Sequence, residues 1–270
     1  MQFAKYKNSF RNIVLERDEE SGILDLRLHT DGGALKWGID PGAVHEQLGE
    51  ALYKIGRDPE NKVMILRGTG DVFCTQRNIA EYRHIDGAEP MYRLMREGRD
   101  LLINTLELEI PIISVVHGAA TIHPEVPAMA DMVLASPEAC FQDSHIPIGI
   151  APGDGAQIFW TAVLGPTRAS YFFLSEEVLS AQEALRLGVV HEILPRESLL
   201  TRARELANRL ASKPILTLRA TRMAVNQALK ERIAKEAALG FVSETLAQAA
   251  AEGHPLVDDV ERERSVRDKG

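Results

Sequence analysis

The sequence predicts an α/β protein in which helices cover a central sheet. Short apolar runs typical of buried strands alternate with amphipathic stretches over roughly the first half of the chain. After about residue 155, strand patterns nearly disappear and helical spacing dominates. The 270 residues are 45% hydrophobic and 26% charged. This composition is ordinary for a globular protein and excludes a disordered chain, a collagen-like repeat and a coiled-coil rod.

The predicted strands comprise one hairpin and several buried runs. Leucines at alternate positions from Leu24 to Leu28 predict a strand over 23–29. Residues 12–17 are expected to pair with it around a turn at 20–22. The buried strands are each predicted from a short run of apolar residues, at 62–67, 111–116, 132–135 and 189–194.

Helices are predicted where apolar residues recur every three or four positions. Pro41 begins one helix, in which Val44, Leu48 and Leu52 share a face. Pro214 suits the first turn of the last helix. The other predicted helices cover 91–108, 124–130, 155–164, 167–174, 181–187 and 198–211, and the last covers 215–250.

The change from mixed to helical pattern suggests two regions. We expect a core over 1–197 and a helical C-terminal region over 198–270. From about residue 252 onward the charges are mixed without periodicity, which predicts a mobile tail.

Charge and motif content exclude several function classes. The 39 acidic and 31 basic residues give a net charge of -8 without a basic patch, so nucleic acid is not an expected partner. No apolar run is as long as the roughly 18 residues that a membrane-spanning helix needs, and no signal-peptide pattern is present. We therefore expect a cytoplasmic protein. Cys74 and Cys140 lack metal-site spacing, and no nucleotide-binding, metal-binding or nucleophile-elbow motif appears. We expect neither a metal nor an organic cofactor.

His145 and Asp154 are the first candidate pair for acid–base chemistry. His145 lies in a loop rich in glycine and proline, and Asp154 lies nine residues further on, where a helix is predicted to begin. A carboxylate beside an imidazole fixes its tautomer and stabilises the imidazolium. The alternative is a surface loop for His145 and a helix cap for Asp154. The local sequence leaves both open.

Three further residues are candidates by position. His123 follows a buried strand and precedes an apolar helix that begins near Glu125, although Glu125 could also be a first-turn acid favoured by the helix dipole. His45 lies on the first predicted helix, where it could equally border the core. Glu244 lies in an apolar helical stretch, where a lone glutamate is most often solvated.

Several stretches together resemble the crotonase superfamily, which has the enoyl-CoA hydratase/isomerase fold. The matching segments are RGTGDVFCTQRNIAEY at 67–82, VVHGAATIHPEVPAMADMVLAS at 115–136, HIPIGIAPGDGAQ at 145–157 and SAQEALRLGVVHEILP at 180–195. The resemblance covers roughly residues 10–250 and implies a spiral of ββα units with a helical C-terminal region. It also implies homotrimers or pairs of trimers, assembled through 198–270.

The chain departs from hydratases where they bind a thioester oxygen. Hydratases have small residues and glycine at 74–77, and a glycine run at 121–124 where this chain is one residue shorter. Bulkier residues impede close approach of the backbone, and Pro124 has no N–H group. The thioester oxyanion hole is therefore not expected. Glu125 matches the first hydratase glutamate, whereas His145 replaces the second.

These departures resemble the β-diketone hydrolase branch, which includes 6-oxocamphor hydrolase. The shared motifs are PENKV at 59–63, HPEVP at 123–127, FQD at 141–143 and PGDGA at 152–156. The resemblance implies hydrolytic retro-Claisen cleavage of a carbon–carbon bond in a cyclic β-diketone, which gives a keto acid.

The same resemblance implies roles for particular residues. His145 is expected to be the base for water, held by Asp154, with Glu244 positioning that water. His123 and His45 are expected to hydrogen-bond the carbonyl oxygens as charge develops. An exchange of roles between His123 and His145 stays open. The positions expected to contact substrate are Trp37 and Glu125.

Two alternatives from other classes remain. The first is an enoyl-CoA hydratase or isomerase that acts on acyl-CoA thioesters, which Glu125 favours. The second is a non-catalytic member that binds RNA or another partner. The net charge of -8 and the many polar residues at the candidate site argue against it.

Overall fold

Two sheets and the helices around them organise the chain. The structure, a computed structural model, describes residues 2–82 and 87–250. In these residues the strands are β1 (Ile13–Arg17), β2 (Ile23–Leu28), β3 (Leu35–Trp37), β4 (Val63–Arg67), β5 (Cys74–Arg77), β6 (Ile112–Val116), β7 (Met132–Ala135), β8 (Cys140–Phe141), β9 (Leu179–Ser180) and β10 (Glu192–Ile193). The helices are α1 (Val44–Gly56), α2 (Ile79–Tyr82), α3 (Ala88–Glu107), α4 (Glu125–Ala128), α5 (Ala156–Leu164), α6 (Pro166–Leu174), α7 (Ala181–Arg186), α8 (Arg196–Ala211) and α9 (Ile215–Ala250). Short 3-10 helices cover Phe3–Lys5 and Ile146–Ile148.

The larger sheet confirms the predicted α/β class. Its strand order is β1-β2-β4-β6-β7-β10, in which β1 and β2 are antiparallel and the other neighbours are parallel. Val63 and Ile65 of β4 belong to a hydrophobic cluster with Leu199 of α8. Met64 and Leu66 of the same strand belong to the larger hydrophobic core. Because both faces are covered, the central strands are continuous apolar runs rather than alternating ones.

A second, smaller sheet turns the chain into a spiral. β3 pairs with β5, β8 pairs with β9, and Ala120 joins the two pairs through bridges to Cys74 and Phe141. Successive turns therefore place one strand in the larger sheet and one segment in the smaller sheet, which confirms the ββα spiral. The strands β3, β5, β8 and β9 were not predicted. They are only two to four residues long, and neighbouring turns of the spiral set their pairing.

The last helix, α9, carries Glu244 towards the spiral. Arg222 fastens this helix and is only 4% exposed. Its Nε atom lies 2.7 Å from Oδ2 of Asp131, and its guanidinium donates to the carbonyl oxygens of Thr105 and Leu108. These contacts fix α9 against α3 and the larger sheet.

Two glycines let α9 approach the loop that carries Asp154. A Cβ atom on Gly153 would lie 2.1 Å from the carbonyl oxygen of Gly240 and 2.6 Å from Cβ of Glu244. A Cβ atom on Gly240 would lie 2.0 Å from the side-chain nitrogen of Gln157. Neither position has room for a larger residue, so this close backbone contact sets the distance between Asp154 and Glu244.

Most predicted elements are confirmed with shifted ends. The helix predicted from 91 begins at Ala88, and the strand predicted over 189–194 shortens to β10. The division at residue 197 into a core and a trimerisation region stays a prediction. The predicted mobile tail lies outside the described residues. Within 2–82 and 87–250, every helix is too short or too polar to cross a lipid bilayer.

Candidate active site

A cavity between the spiral and α9 gathers all five side chains that were predicted to be catalytic. His45 comes from α1, and His123 lies just before α4. His145 and Asp154 lie on the segment between β8 and α5, and Glu244 reaches in from α9. The remaining wall is mostly apolar and includes Ile39, Tyr82, Met91, Leu94, Met95, Ile148, Ile150 and Phe241.

His145 is buried, and its two ring nitrogens face different carboxylates. Nδ1 lies 3.1 Å from Oδ1 and 3.0 Å from Oδ2 of Asp143. Nε2 lies 3.4 Å from Oδ2 of Asp154 and 4.0 Å from Oε1 of Glu244. Burial alone would lower the pKa of His145, but the charges of Asp143 and Asp154 outweigh it and raise that pKa well above its usual value. These two carboxylates therefore favour the imidazolium form of the ring.

Asp154 lies between two histidines. Its Oδ2 is 3.4 Å from Nε2 of His145 and 3.2 Å from Nδ1 of His123. Its Oδ1 accepts from the amide of Ala156 at 3.3 Å, so the same side chain also holds the first turn of α5. Burial would raise the pKa of Asp154, but the charges of His145 and His123 lower it well below its usual range. The orienting position at Nδ1 of His145 belongs to Asp143, which sequence analysis did not assign.

His123 is held from several sides. Its Nδ1 lies 2.8 Å from Oε1 of Glu125, and its ring stacks on Trp37 with centroids 4.1 Å apart. Its φ of 49° lies in the left-handed region, and the following Pro124 disfavours the right-handed helical alternative. Burial would lower the pKa of His123, but Glu125 and Asp154 raise it above its usual value. The ring is thus fixed in position and favours the charged form.

His45 also has its own buried carboxylate. Its Nδ1 lies 3.1 Å from Oε2 of Glu97 on α3, and both residues are buried. Arg93 donates to Oε1 of Glu97 at 3.0 Å and to the carbonyl oxygen of Ile39 at 2.9 Å. Burial would raise the pKa of Glu97, but His45 and Arg93 lower it. A histidine held in this way at Nδ1 presents Nε2 on the opposite side of the ring.

Glu244 closes the cavity from the side of α9. Burial and the negative charge of Asp154 raise the pKa of Glu244 to about 7. An acid poised near neutral pH can both accept and return a proton within one reaction cycle. Its Oε1 atom, 4.0 Å from Nε2 of His145, is near enough for both groups to contact one ligand.

A cation lies on the same wall. Arg77, at the end of β5, donates from Nη2 to the hydroxyl of Ser144 at 2.6 Å. Both side chains line the cavity, and Ser144 directly precedes His145. This places a guanidinium next to the histidine cluster.

Two groups of side chains have the composition of a metal site. They are His123, Glu125 and Asp154, and His145, Asp154 and Glu244, with ligand atoms within 4.8 Å of one another in each. Histidine and carboxylate ligands suit several divalent cations. The hydrogen bond between His123 and Glu125 and the ion pairs of both histidines with Asp154 account for the same short distances. The geometry therefore requires no ion to explain these clusters.

The residues predicted to contact substrate lie one layer behind the cavity wall. Trp37 is 1% exposed and Glu125 is 3% exposed. Both contact His123, Trp37 through ring stacking and Glu125 through a hydrogen bond, and Glu125 also lines a small adjoining cavity. The contact of these two residues with substrate stays a prediction.

The structure also shows three residues that sequence analysis missed. Asp143 had a weak signal, since an aspartate two residues before His145 can fold back onto it. Glu97 lies 52 residues from His45, and nothing local marks it. Arg77 was noted only as a departure from the hydratase pattern.

Backbone amides near the cavity are already engaged. The N–H groups of Thr121 and Ile122 both donate to the carbonyl oxygen of Cys74, at 2.9 and 3.2 Å. Pro124 has no N–H group. The segment that supplies amides to a thioester in hydratases therefore does not direct these groups at a ligand.

Known proteins resemble the chain over most of its length. A β-diketone hydrolase from the cyanobacterium Anabaena sp. PCC 7120, solved bound to (S)-3-oxocyclohexyl acetic acid, is 39% identical. The match covers 90% of this chain and 94% of that chain, with a TM-score of 0.83. Crotonyl-CoA hydratase of Syntrophomonas wolfei is 26% identical over 83% of this chain and 85% of its own length. The 1,2-epoxyphenylacetyl-CoA isomerase of Escherichia coli is 29% identical over 77% of this chain and 80% of its own length.

The fold and a family model agree on the same assignment. An enoyl-CoA hydratase/isomerase from Mycobacterium paratuberculosis shares the fold with a TM-score of 0.84 at 18% identity, covering 92% of this chain and 98% of that chain. The model of the enoyl-CoA hydratase/isomerase family matches residues 38–253, which include the segments that carry His45 and Glu244. From its spiral, its relatives and this match, the chain belongs to the enoyl-CoA hydratase/isomerase family of the crotonase superfamily.

Proposed function

We propose that this enzyme cleaves a carbon–carbon bond in a cyclic β-diketone by hydrolytic retro-Claisen chemistry. The observation that carries the proposal is a cavity where His45, His123 and His145 are each held at Nδ1 by a carboxylate. Side-chain donors thus take the place of the backbone amides that a thioester would need. The 39% identical β-diketone hydrolase supports the same chemistry.

The keto acid bound to that hydrolase indicates the kind of substrate. When water cleaves a bridged bicyclic β-diketone next to the bridgehead, the product is a ring ketone with an acetic acid arm. The ligand (S)-3-oxocyclohexyl acetic acid has this structure. A bridgehead between two carbonyls cannot enolise, so both carbonyls stay electrophilic. The apolar wall formed by Met91, Leu94 and Ile150 suits the hydrocarbon part of such a ring.

Water activation divides between Glu244 and His145. Asp143 and Asp154 favour the protonated form of His145, so we assign the proton acceptor at neutral pH to Glu244, whose pKa is raised to about 7. Glu244 takes a proton from water as the oxygen adds to one carbonyl carbon. The imidazolium of His145 stabilises the alkoxide that forms. This assignment differs from the roles that the family resemblance implies, in which His145 is the base and Glu244 positions the water.

Cleavage then requires stabilisation of an enolate. The alkoxide collapses to a carboxylic acid while the bond to the bridgehead carbon breaks, and its electron pair forms the enolate of the second carbonyl. The charged form of His123 donates a hydrogen bond to this second oxygen as charge develops, and His45 donates a second one from Nε2 when both of its ring nitrogens carry protons. The proton held by Glu244 passes to the carbon, which restores Glu244, and the new acid ionises on release.

Hydrolysis of a bridged bicyclic β-diketone tests the proposal. We expect the wild type to form the keto acid, also in the presence of EDTA, because no step uses a metal. His145→Ala should lower kcat by about 100- to 1000-fold, the usual range for removing one group that stabilises an oxyanion. His29→Ala is the control, because its ring accepts from the amide of Gly32 away from the cavity. Higher kcat/KM for hydration of crotonyl-CoA than for diketone hydrolysis would overturn the proposal.

Chemistry on acyl-CoA thioesters is the second candidate. It is favoured by Glu125, which matches a hydratase glutamate, and by relatives such as crotonyl-CoA hydratase. Glu125 is buried behind His123, and burial raises its pKa. Together with the engaged amides of Thr121 and Ile122, this position makes the thioester reaction the weaker proposal.

We also propose that the enzyme acts as a homotrimer or a pair of trimers, as its family resemblance implies. Leu216, Val225 and Leu239 on α9 are each more than 70% exposed. Exposed apolar residues of this size on one helix are typical of a surface that is covered by another chain. Light scattering should give three or six times the chain mass of 29.9 kDa, whereas a monomer would contradict the proposal.

A further inference from the structure

No step of the proposed reaction uses Arg77, although its side chain lines the cavity. Its Nη2 donates to the hydroxyl of Ser144 at 2.6 Å. Among the ion pairs formed within 2–82 and 87–250, none includes Arg77, whereas Arg93 beside the same site pairs with Glu97. A guanidinium has five N–H donors, so one hydroxyl contact uses only part of its capacity.

Hydrolysis changes the charge of the ligand, and the guanidinium of Arg77 can compensate for that change. A neutral diketone becomes a carboxylate inside a cavity where Asp143 and Asp154 already face the charge of His145 and where Glu244 adds a further acid. Like charges in a poorly solvated site repel, so an anionic ligand needs a cation beside it. The planar fork of an arginine matches the two oxygens of a carboxylate.

We propose that Arg77 and Ser144 form a carboxylate subsite of this cavity, an inference that rests on the proposed function. Because Ser144 directly precedes His145, the subsite adjoins the place where water adds and where the new carboxylate forms. The same side chains would recognise a carboxylate that the substrate already carries. The chemistry recognised is the same in both cases.

Binding of a matched acid and amide tests the subsite without turnover. The probes are (S)-3-oxocyclohexyl acetic acid and its primary amide, measured by isothermal titration. The wild type should bind the acid about 10- to 100-fold more tightly, the range for hydrogen bonds to a charged group. Arg77→Met should lose this preference and Arg77→Lys should keep part of it. Arg27→Met is the control, because Arg27 also donates to a hydroxyl, that of Thr69 at 3.4 Å, but lies outside the cavity.

Two results would overturn the subsite. One is a wild type that binds acid and amide equally, and the other is an Arg77→Met protein that keeps the full preference. Thermal unfolding checks that each variant is folded. If the methionine variant does not fold, Arg77→Lys and Ser144→Ala decide, since an unchanged preference in both contradicts the inference.

Kinetic measurements separate the two sources of the carboxylate. If the subsite serves the product, Arg77→Met should raise the inhibition constant of the keto acid in proportion to its loss of binding. If the substrate carries a carboxylate, the variant should lower kcat/KM for a carboxylated diketone more than for a neutral one. A wild type that hydrolyses neither diketone overturns the proposed function, while the preference for acid over amide still reports on Arg77.

Discussion

Replacing Asp143 with asparagine tests whether His145 acts as an imidazolium. The amide oxygen of the variant can still accept from Nδ1, which lies 3.0 Å from the nearer carboxylate oxygen. The negative charge is lost, and with it one of the two charges that raise the pKa of His145 against the effect of burial. A hydrogen bond to a charged group contributes about 1.5–3 kcal/mol and a neutral one about 0.5–1.5 kcal/mol, so the exchange weakens this contact by about 1–1.5 kcal/mol. Because one pKa unit is about 1.4 kcal/mol, the pKa of His145 should fall by about one unit.

The pH dependence of kcat/KM for the diketone reports this change. Activity should fall at high pH when His145 loses its proton, so the alkaline limb should move to lower pH in the variant by the same amount, about one unit. The acid limb, which Glu244 sets near its pKa of about 7, should move less than the alkaline limb, because burial and Asp154 raise that pKa more than Asp143 does. Nuclear magnetic resonance titration of the His145 ring protons gives the same pKa independently of turnover.

The same pair predicts how stability depends on pH. The folded pKa of His145 lies above the unfolded value of about 6.5, so its stabilising contribution is complete below that pH and is lost as pH rises through the folded pKa. The difference in melting temperature between wild type and Asp143→Asn should therefore shrink as pH rises through that range.

A matched variant controls for the general effect of removing one negative charge beside a histidine of the cavity. Glu125→Gln changes the carboxylate at Nδ1 of His123, and it should leave the titration of His145 in place. If the alkaline limb of Asp143→Asn does not move, or moves upward, the charge of Asp143 does not hold the proton on His145 and the reasoning is refuted.

Two single variants, one double-mutant cycle and one ligand probe the remaining assignments. Glu244→Gln should lower kcat by about 100- to 10,000-fold and remove the acid limb near pH 7, whereas an unchanged acid limb would exclude Glu244 as the base. His45→Leu should lower turnover by about 10- to 1000-fold with the fold retained, and near-normal turnover would exclude a carbonyl contact. A double-mutant cycle of His145→Ala and Asp154→Asn should be non-additive, because the two side chains act on one step, and additive losses would separate them. Acetyl-CoA should bind more weakly than about 1 mM in isothermal titration, and micromolar binding would favour the thioester reaction.

Elements with their own hydrophobic period were predictable from the sequence. The alternation in β2 and the long apolar spacing of α9 mark their ends to within a few residues. The short strands β3 and β5 carry no such pattern because their pairing depends on consecutive turns of the spiral. Their existence follows from the family resemblance rather than from local propensity.

The candidate site was predictable in part for a related reason. His145 and Asp154 are close in sequence and share one loop, so their proximity needs no long-range packing. The contact of Glu97 with His45 depends on the packing of α1 against α3. There, a Cβ atom on Gly49 would lie 3.1 Å from the backbone nitrogen of Leu101, so glycine permits the close approach. No local pattern reports such a contact.

The fate of labelled water tests the central claim most directly. The enzyme is given equal amounts of a bridged bicyclic β-diketone and crotonyl-CoA in water enriched in heavy oxygen, and the products are analysed by mass spectrometry. We predict a keto acid with one heavy oxygen in its carboxylate and unchanged crotonyl-CoA. A heavy oxygen in the hydroxyl group of a hydroxyacyl-CoA, with the diketone intact, would contradict the proposed function.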